Sequence, residues 1–343
     1  AITTIFLMHR ISAPNVGTAF RDELIATANA LVTPGKGLLA ADESIATIGK
    51  RFADISIENS QENRIRWREL LFSTPGLSQY ISGVIVFDET LRSAAPDGTL
   101  LRDKVTSAGM ILGVKVDVGT SSFPGSRDGE TATLGLDNLA QRCKEYYALG
   151  CRFAKWRAVQ KISGGTPTSA CVQENAWSLA RYGAICQEHG LVPIIEPEIL
   201  ADGDHDIEAC ASITERVLSE VYHAMTAQGL LLEGTLLKPN MVIPGVGWKG
   251  RVTSNDIAAY TIRALQRTVP TAVPGIVFLS GGQSEEDATE NLHRINAMPA
   301  RKPWAISFSF SRAMQHSSLH TWMGRDENRA AAQLALLNRA RAN

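Results

Sequence analysis

A lysine closes an apolar run in Gly234-Thr235-Leu236-Leu237-Lys238-Pro239-Asn240. Thr235 to Leu237 reads as a buried strand, and Pro239, which has no N–H to give a ladder, ends it. A cation at that place must be paired, lose its proton or reach solvent. An amine that gives up its proton is a nucleophile toward carbonyls. The plainer alternative is a side chain that lies along apolar surface and carries its charge into water, so its neighbours decide.

Other apolar runs end in chemistry-bearing residues as well. Asp42 and Ser44 follow Gly37–Ala41, and Lys115 and Asp117 close the run from Ile111. Lys155 and Arg157 close the run from Phe153, and Glu196 and Glu198 flank Pro197 after Val192–Ile195. Ser280-Gly281-Gly282 follows Ile276–Leu279, and Ser309, Ser311 and Arg312 follow the run from Trp304. Each pair alone is explained by a strand that meets solvent. Together they offer cations (Lys115, Lys155, Lys238, Arg312) and carboxylates (Asp42, Glu196) suited to an anionic carbonyl substrate and proton transfer. Glycines in Ser280-Gly281-Gly282 let backbone N–H groups approach an anion, and Arg312, read as lying on the adjacent eighth strand, would add charge there.

The elements that must position these residues alternate. Eight runs read as strands: 37–41, 84–87, 111–116, 153–156, 192–195, 235–237, 276–279 and 304–309. Helical patterns lie between them, clearest at 171–189 ending before Gly190, 206–228 ending before Gly229, and 285–298 with acids in its first turn. Buried strands alternating with amphipathic helices imply a parallel sheet, and eight units imply a closed (β/α)8 TIM barrel. No GxGxxG turn follows the first strand to support an open dinucleotide-binding sheet. In a barrel, inward side chains recur at i and i+2, and sites form at the C-terminal ends of the strands. No Pro/Gly/Ser-rich linker divides the 343 residues. We therefore expect one barrel domain over 1–343, with 1–22 a poorly readable opening segment and 326–343 a helix outside the barrel.

Composition narrows the partners. A net charge of −1 argues against nucleic acid and anionic membrane surfaces. No apolar run reaches the roughly 20 residues of a membrane-spanning helix. Five cysteines (Cys143, Cys151, Cys171, Cys186, Cys210) with no CxxC fit free thiols in a reducing compartment. The seven histidines show no HExxH frame. Asp204-His205-Asp206 precedes a helix, where an acid caps, and His316 and His320 lack an evident third ligand. No metal site is expected.

Several long motifs, in order, resemble class I fructose-bisphosphate aldolases. They are GKGLLAADES (35–44), FAKWR (153–157), LARYGAICQEHG (179–190), VPIIEPEIL (192–200), EGTLLKPNM (233–241), VFLSGGQSEE (277–286) and SFSFSRA (307–313). The likeness runs from about Glu23 to the end and is nearest to the plant cytosolic enzymes. It implies a (β/α)8 barrel, reversible cleavage of fructose 1,6-bisphosphate into two triose phosphates, a cytoplasmic homotetramer and no metal or other cofactor. It makes Lys238 the imine-forming lysine and Glu196 the acid/base that dehydrates the carbinolamine. Asp42 becomes the base for the C4 hydroxyl, Lys155 the organiser of the acids, and Glu198 part of the charge network. Ser280, Gly281, Gly282, Ser311 and Arg312 match one phosphate site. Ser44, Lys115 and Arg157 match groups toward the other phosphate.

Three positions depart from the family pattern. Ile45 stands where threonine is usual, Val118 where lysine is usual, and Ser311 where glycine is usual. If position 311 needs a positive φ, serine there costs about 1 kcal/mol. Two other readings remain at this stage: a different lysine-dependent barrel lyase or transaldolase, and a barrel that serves protein partners as a scaffold. The family also continues past the position of Asn343 as a tail ending in tyrosine, which assists proton exchange on the enamine. For the sequence as it stands, cleavage is expected with slow exchange, and rapid tritium exchange into dihydroxyacetone phosphate would contradict this.

Overall fold

The computed structural model describes residues 18–127 and 129–343. Among them eight parallel strands close into a barrel: β1 (Gly37–Ala41), β2 (Ile81–Val86), β3 (Ile111–Lys115), β4 (Phe153–Gln160), β5 (Val192–Ile199), β6 (Leu236–Leu237), β7 (Gly275–Phe278) and β8 (Ala305–Phe310). Each strand pairs with its sequence neighbours, and β8 returns to β1 through Leu38 opposite Ser309. The barrel and the positions of its strands agree with the sequence reading. β2 begins three residues earlier than 84, and β4 and β5 run four residues further than the apolar runs that announced them. Those extensions carry Arg157, Glu196 and Glu198, charged residues that periodicity alone assigns to loops.

Alternation explains the two cores. Leu38, Ala40, Ile85, Phe153, Val192, Ile194, Leu236 and Val277 fill the barrel interior, which the helix Arg21–Leu31 closes from below with Leu24, Ala28 and Leu31. Their strand neighbours Leu39, Ala41, Ala154, Trp156, Ile195, Leu237, Ile276 and Phe278 point the other way and pack under the outer helices. Phe153 occupies the space that glycine leaves at Gly113 on β3; a Cβ there would overlap its ring.

The outer helices fall near their expected bounds: Ser169–Glu188, Ile207–Ala227 and Glu285–Ala297. Gly190 (φ 76°) and Gly229 (φ 68°) take the left-handed conformation just past the first two. Asp206 caps the second by accepting from the Ala209 N–H, which is the capping role its position suggested. Of the opening segment 1–22, residues 18–22 form the short turn Thr18–Phe20 and the start of the helix Arg21–Leu31, and the rest lie outside the described residues. The final helix is Arg329–Ala342. It lies outside the barrel, against the helices Gln61–Phe72 and Arg312–Trp322, with Arg329 paired to Glu69 at 2.7 Å. A two-stranded antiparallel ribbon, Thr120–Ser121 with Ala132–Thr133, follows β3 and has no strong alternation in its sequence.

The interior packing generates a paired expectation. Phe153→Ala lowers unfolding free energy by about 3–5 kcal/mol through the cavity it opens. Gly113→Ala lowers it by about 1–3 kcal/mol through overpacking against the same ring. Chemical denaturation of the two variants checks both.

Candidate active site

The inward face of each strand changes from apolar to charged near its C-terminal end. Leu38 and Ala40 lead to Asp42, Phe153 to Lys155, Ile194 to Glu196, and Leu236 to Lys238. The β5–β6 register sets Ile195 opposite Leu237, and the Lys238 N–H donates to the Ile195 carbonyl at 2.8 Å, so the ladder holds Lys238 although β6 is short. The four charged side chains form one chain of contacts. Lys238 Nζ lies 3.2 Å from Glu196 Oε1, Lys155 Nζ lies 3.3 Å from Glu196 Oε2, and the same Nζ lies 2.6 Å from Asp42 Oδ2. All four are buried, with Lys238 only 4% exposed.

Lysines and carboxylates alternate here, and for Asp42, Glu196 and Lys155 the pairing outweighs burial. Burial pushes the Asp42 carboxyl up, but Lys155 and then Lys238 outweigh it and bring its pKa to about 2. Glu196 is likewise raised by burial and lowered further by Lys155, Lys238 and Arg157, ending below the ordinary value. Lys155 loses by burial and gains more from Asp42 and Glu196, so its ammonium is held well above the ordinary lysine range. Among the described residues, Glu196 Oε2 makes no hydrogen bond beyond this ion pair.

A cavity of about 1220 Å³ opens over the cluster. Its wall contains every residue expected from sequence: Asp42, Ser44, Lys115, Lys155, Arg157, Glu196, Glu198, Lys238, Ser280, Gly281, Gly282, Ser311 and Arg312. Their local bonds differ. Arg157 pairs with Glu198 at 2.5 Å. Lys115 is held by Asp117, through the carboxylate at 2.6 Å and the carbonyl at 2.7 Å. Ser44 caps the helix Ile45–Asp54 by accepting from the Thr47 N–H. Gly282 has φ 77°, which a turn bringing backbone N–H groups toward an anion requires.

Two details correct the sequence reading. Arg312 is not on β8: the strand ends at Phe310 and Arg312 opens the helix Arg312–Trp322, with its guanidinium donating to the Gln283 carbonyl at 3.3 Å. Ser311 has φ −105°, so no strain attends serine there. Sequence reasoning missed Glu43, Lys50, Arg51 and Arg142, all of which line the cavity. Glu43 sits beside Asp42 in the same motif and could have been suspected. Lys50 and Arg51 are brought in by the helix after β1, where nothing in the pattern separates them from solvated charges. Ser309 is buried, and its hydroxyl has no partner among the described residues. No group of three or more His, Cys, Asp or Glu side chains among the described residues converges as a metal site.

This constellation has relatives. A family model described as fructose-bisphosphate aldolase class-I matches residues 23–343. The chain belongs to the class I fructose-bisphosphate aldolase family. It is 58% identical over 324 residues to fructose-bisphosphate aldolase 6, cytosolic, of Arabidopsis thaliana, covering 94% of this chain and 90% of that protein. It is 56% identical to the cytoplasmic isozyme of Spinacia oleracea, covering 95% and 92%. A solved fructose-bisphosphate aldolase of Plasmodium falciparum, crystallised with TRAP and a small-molecule inhibitor, superposes with a TM-score of 0.94 at 52% identity over 96% of each chain. Within this aldolase barrel, all five cysteines are free and buried.

The electrostatics give a signed pH dependence. The pKa of Asp42 is about 2 in the fold, against 3.8 for an unperturbed side chain. A depressed carboxyl contributes stability above its unfolded pKa, here about 2 kcal/mol, and loses it as pH falls from about 4 toward 2. Thermal unfolding followed from pH 5 to pH 3 is expected to show a smaller loss of stability for Asp42→Asn than for the unmodified protein.

Proposed function

We propose that this protein is a Schiff-base aldolase that reversibly cleaves fructose 1,6-bisphosphate into dihydroxyacetone phosphate and glyceraldehyde 3-phosphate. The observation that carries the reading is the buried contact chain Lys238–Glu196–Lys155–Asp42 beneath a cavity lined with cations. Glu196, 3.2 Å away, takes a proton from the Lys238 ammonium, and the freed amine attacks the C2 ketone; one N–H proton passes to the former carbonyl oxygen to give the carbinolamine, and Glu196 returns its proton to the departing hydroxyl, so that water leaves and a protonated imine remains. Asp42 accepts the C4 hydroxyl proton. The C3–C4 bond then breaks, its electron pair passing into the imine to give an enamine, and the aldehyde departs. Protonation at C3 and addition of water release the second product and restore the amine. Lys155 keeps Asp42 and Glu196 ionised and apart, and Glu198 holds Arg157 at the cavity wall.

The phosphate groups are assigned by charge. Ser280, Gly281, Gly282, Ser311 and Arg312 lie at the ends of β7 and β8, which suits the phosphate nearest the ketone. Lys115, on β3, stands across the barrel from β7, and with Ser44, Arg157, Lys50 and Arg51 suits the other phosphate. Cations on both sides favour a bisphosphate over a monophosphate. The chemistry proceeds through the covalent imine, with no metal or other cofactor. One barrel domain, a homotetrameric assembly and a cytoplasmic setting complete the proposal; the plant relatives' names carry the last.

Borohydride reduction in the presence of dihydroxyacetone phosphate is expected to leave a stable adduct on Lys238, found by peptide mass analysis. Lys238→Met is expected to abolish both the adduct and cleavage, and EDTA to leave activity intact. An unlabelled Lys238, or activity lost to EDTA, sinks the reading.

A further inference from the structure

The helix Arg312–Trp322 carries two exposed histidines one turn apart, His316 and His320. Their ring centroids lie 4.1 Å from each other. The other described histidines stand singly on four different parts of the fold: His189 just past the helix Ser169–Glu188, His205 in the loop after β5, His223 on the helix Ile207–Ala227 and His293 on the helix Glu285–Ala297. All five cysteines are buried, so no thiol competes with these imidazoles at the surface. Neither His316 nor His320 lines the cavity over Lys238, and the imine chemistry makes no use of them.

The geometry of the pair is that of ligands. His320 Nδ1 lies 2.9 Å from the His316 carbonyl. A carbonyl only accepts, so in the neutral ring Nδ1 carries the proton and Nε2 keeps its lone pair. Ligating histidines are ordinarily held in this way, one ring nitrogen donating to a carbonyl while the other meets the metal. His189 makes the same bond to the Ile185 carbonyl at 2.9 Å, but no second described imidazole stands on its helix. Residues four apart share a helix face, and two histidines at that spacing hold one ion in the HExxH enzymes. His320 also lies in the last turn, where unpaired helix carbonyls favour a cation. The nearest cation in sequence, Arg312, donates to the Gln283 carbonyl at 3.3 Å.

We propose that His316 and His320 together bind a divalent transition-metal ion, Cu²⁺, Ni²⁺ or Zn²⁺, through Nε2 of His320 and a ring nitrogen of His316, with water completing the coordination. Imidazole selects these ions over Mg²⁺ and Ca²⁺, which take oxygen ligands, and Cu²⁺ binds most tightly of the three. Two protein ligands make an open, exchangeable site, unlike the closed four-ligand sites that hold a fold together. The chelate spans one turn of the helix that Arg312 opens, and an ion bound only by the folded chain stabilises it. The site stands whether or not the cavity takes a sugar phosphate. An ion held there lies outside the cavity, so its removal by EDTA leaves the Lys238 chemistry intact.

The test is isothermal titration of the full chain, stripped with EDTA, with Ni²⁺ and with Mg²⁺. Ni²⁺ is expected to bind and Mg²⁺ to give no binding heat. His316→Ala and His320→Ala are each expected to weaken Ni²⁺ about a hundredfold, the advantage of a chelate over a single ligand, and the double variant to be no worse than about twofold below either. His9→Ala, His223→Ala and His293→Ala are expected to leave the affinity unchanged. An affinity in His316→Ala or His320→Ala within about twofold of the original overturns the proposal, as does a loss that follows His9, His223 or His293 instead. A second measurement needs no variant. Diethyl pyrocarbonate modification of the original protein, mapped by peptide mass analysis, is expected to show Ni²⁺ shielding His316 and His320 over the same concentration range while His223 and His293 stay reactive. Shielding of only one of the pair, or of neither, overturns the proposal.

Discussion

The ammonium of Lys155 is the constraint from which the rest of the site follows. It is buried inside a barrel whose lower levels are lined mainly by apolar side chains, and it persists there because Asp42 and Glu196 contact it from the ends of two other strands. Removing one member of such a set leaves an uncompensated charge and costs about 3–5 kcal/mol. The strands that carry the partners must therefore keep their register, and register is a property of the whole closed sheet. Lys238 benefits from that rigidity: its partner Glu196 is fixed by Lys155 before any substrate arrives.

A second carboxylate, Glu43, stands one residue past Asp42 beyond the end of β1 and belongs to a different network. Asp42 faces Lys155 in the barrel interior, whereas Glu43 gathers arginines from two helices and a bond from the Ser311 hydroxyl. Adjacent residues on a strand end thus serve two different networks because their side chains leave the strand on different sides. One network joins three strand ends inside the barrel, and the other ties three outer helices to the end of β1.

Much of this was legible in the chain. Eight apolar runs announced the eight strands, and polar pairs with i, i+2 spacing after them pointed to one rim. What misled was local. Glu196 and Glu198 read as a loop because charge and proline interrupt the apolar pattern, yet β5 continues through them, since inside a barrel they pair across strands. Ser311 suggested a strained turn from the family's glycine, and its φ of −105° shows an ordinary backbone with a redirected side chain. Lys50 and Arg51 gave no signal, because a charged pair on a helix looks the same whether it meets water or a cavity.

By itself the sequence determined which residue types stand at the strand ends, how many strand and helix units alternate, and therefore which barrel forms. Those facts are local: periodicity, caps and turn residues act over a few positions. Only the tertiary structure decided who pairs with whom. Lys155 could have met Asp117, Glu198 or solvent; closure of the barrel brings it 2.6 Å from Asp42, which is 113 positions earlier (155 − 42). The same closure sends the Ser311 hydroxyl to Glu43 instead of its own helix. Burial then sets the energies, because charges in a low-dielectric interior are governed by their nearest partners, and nearness in space is what a linear pattern does not encode.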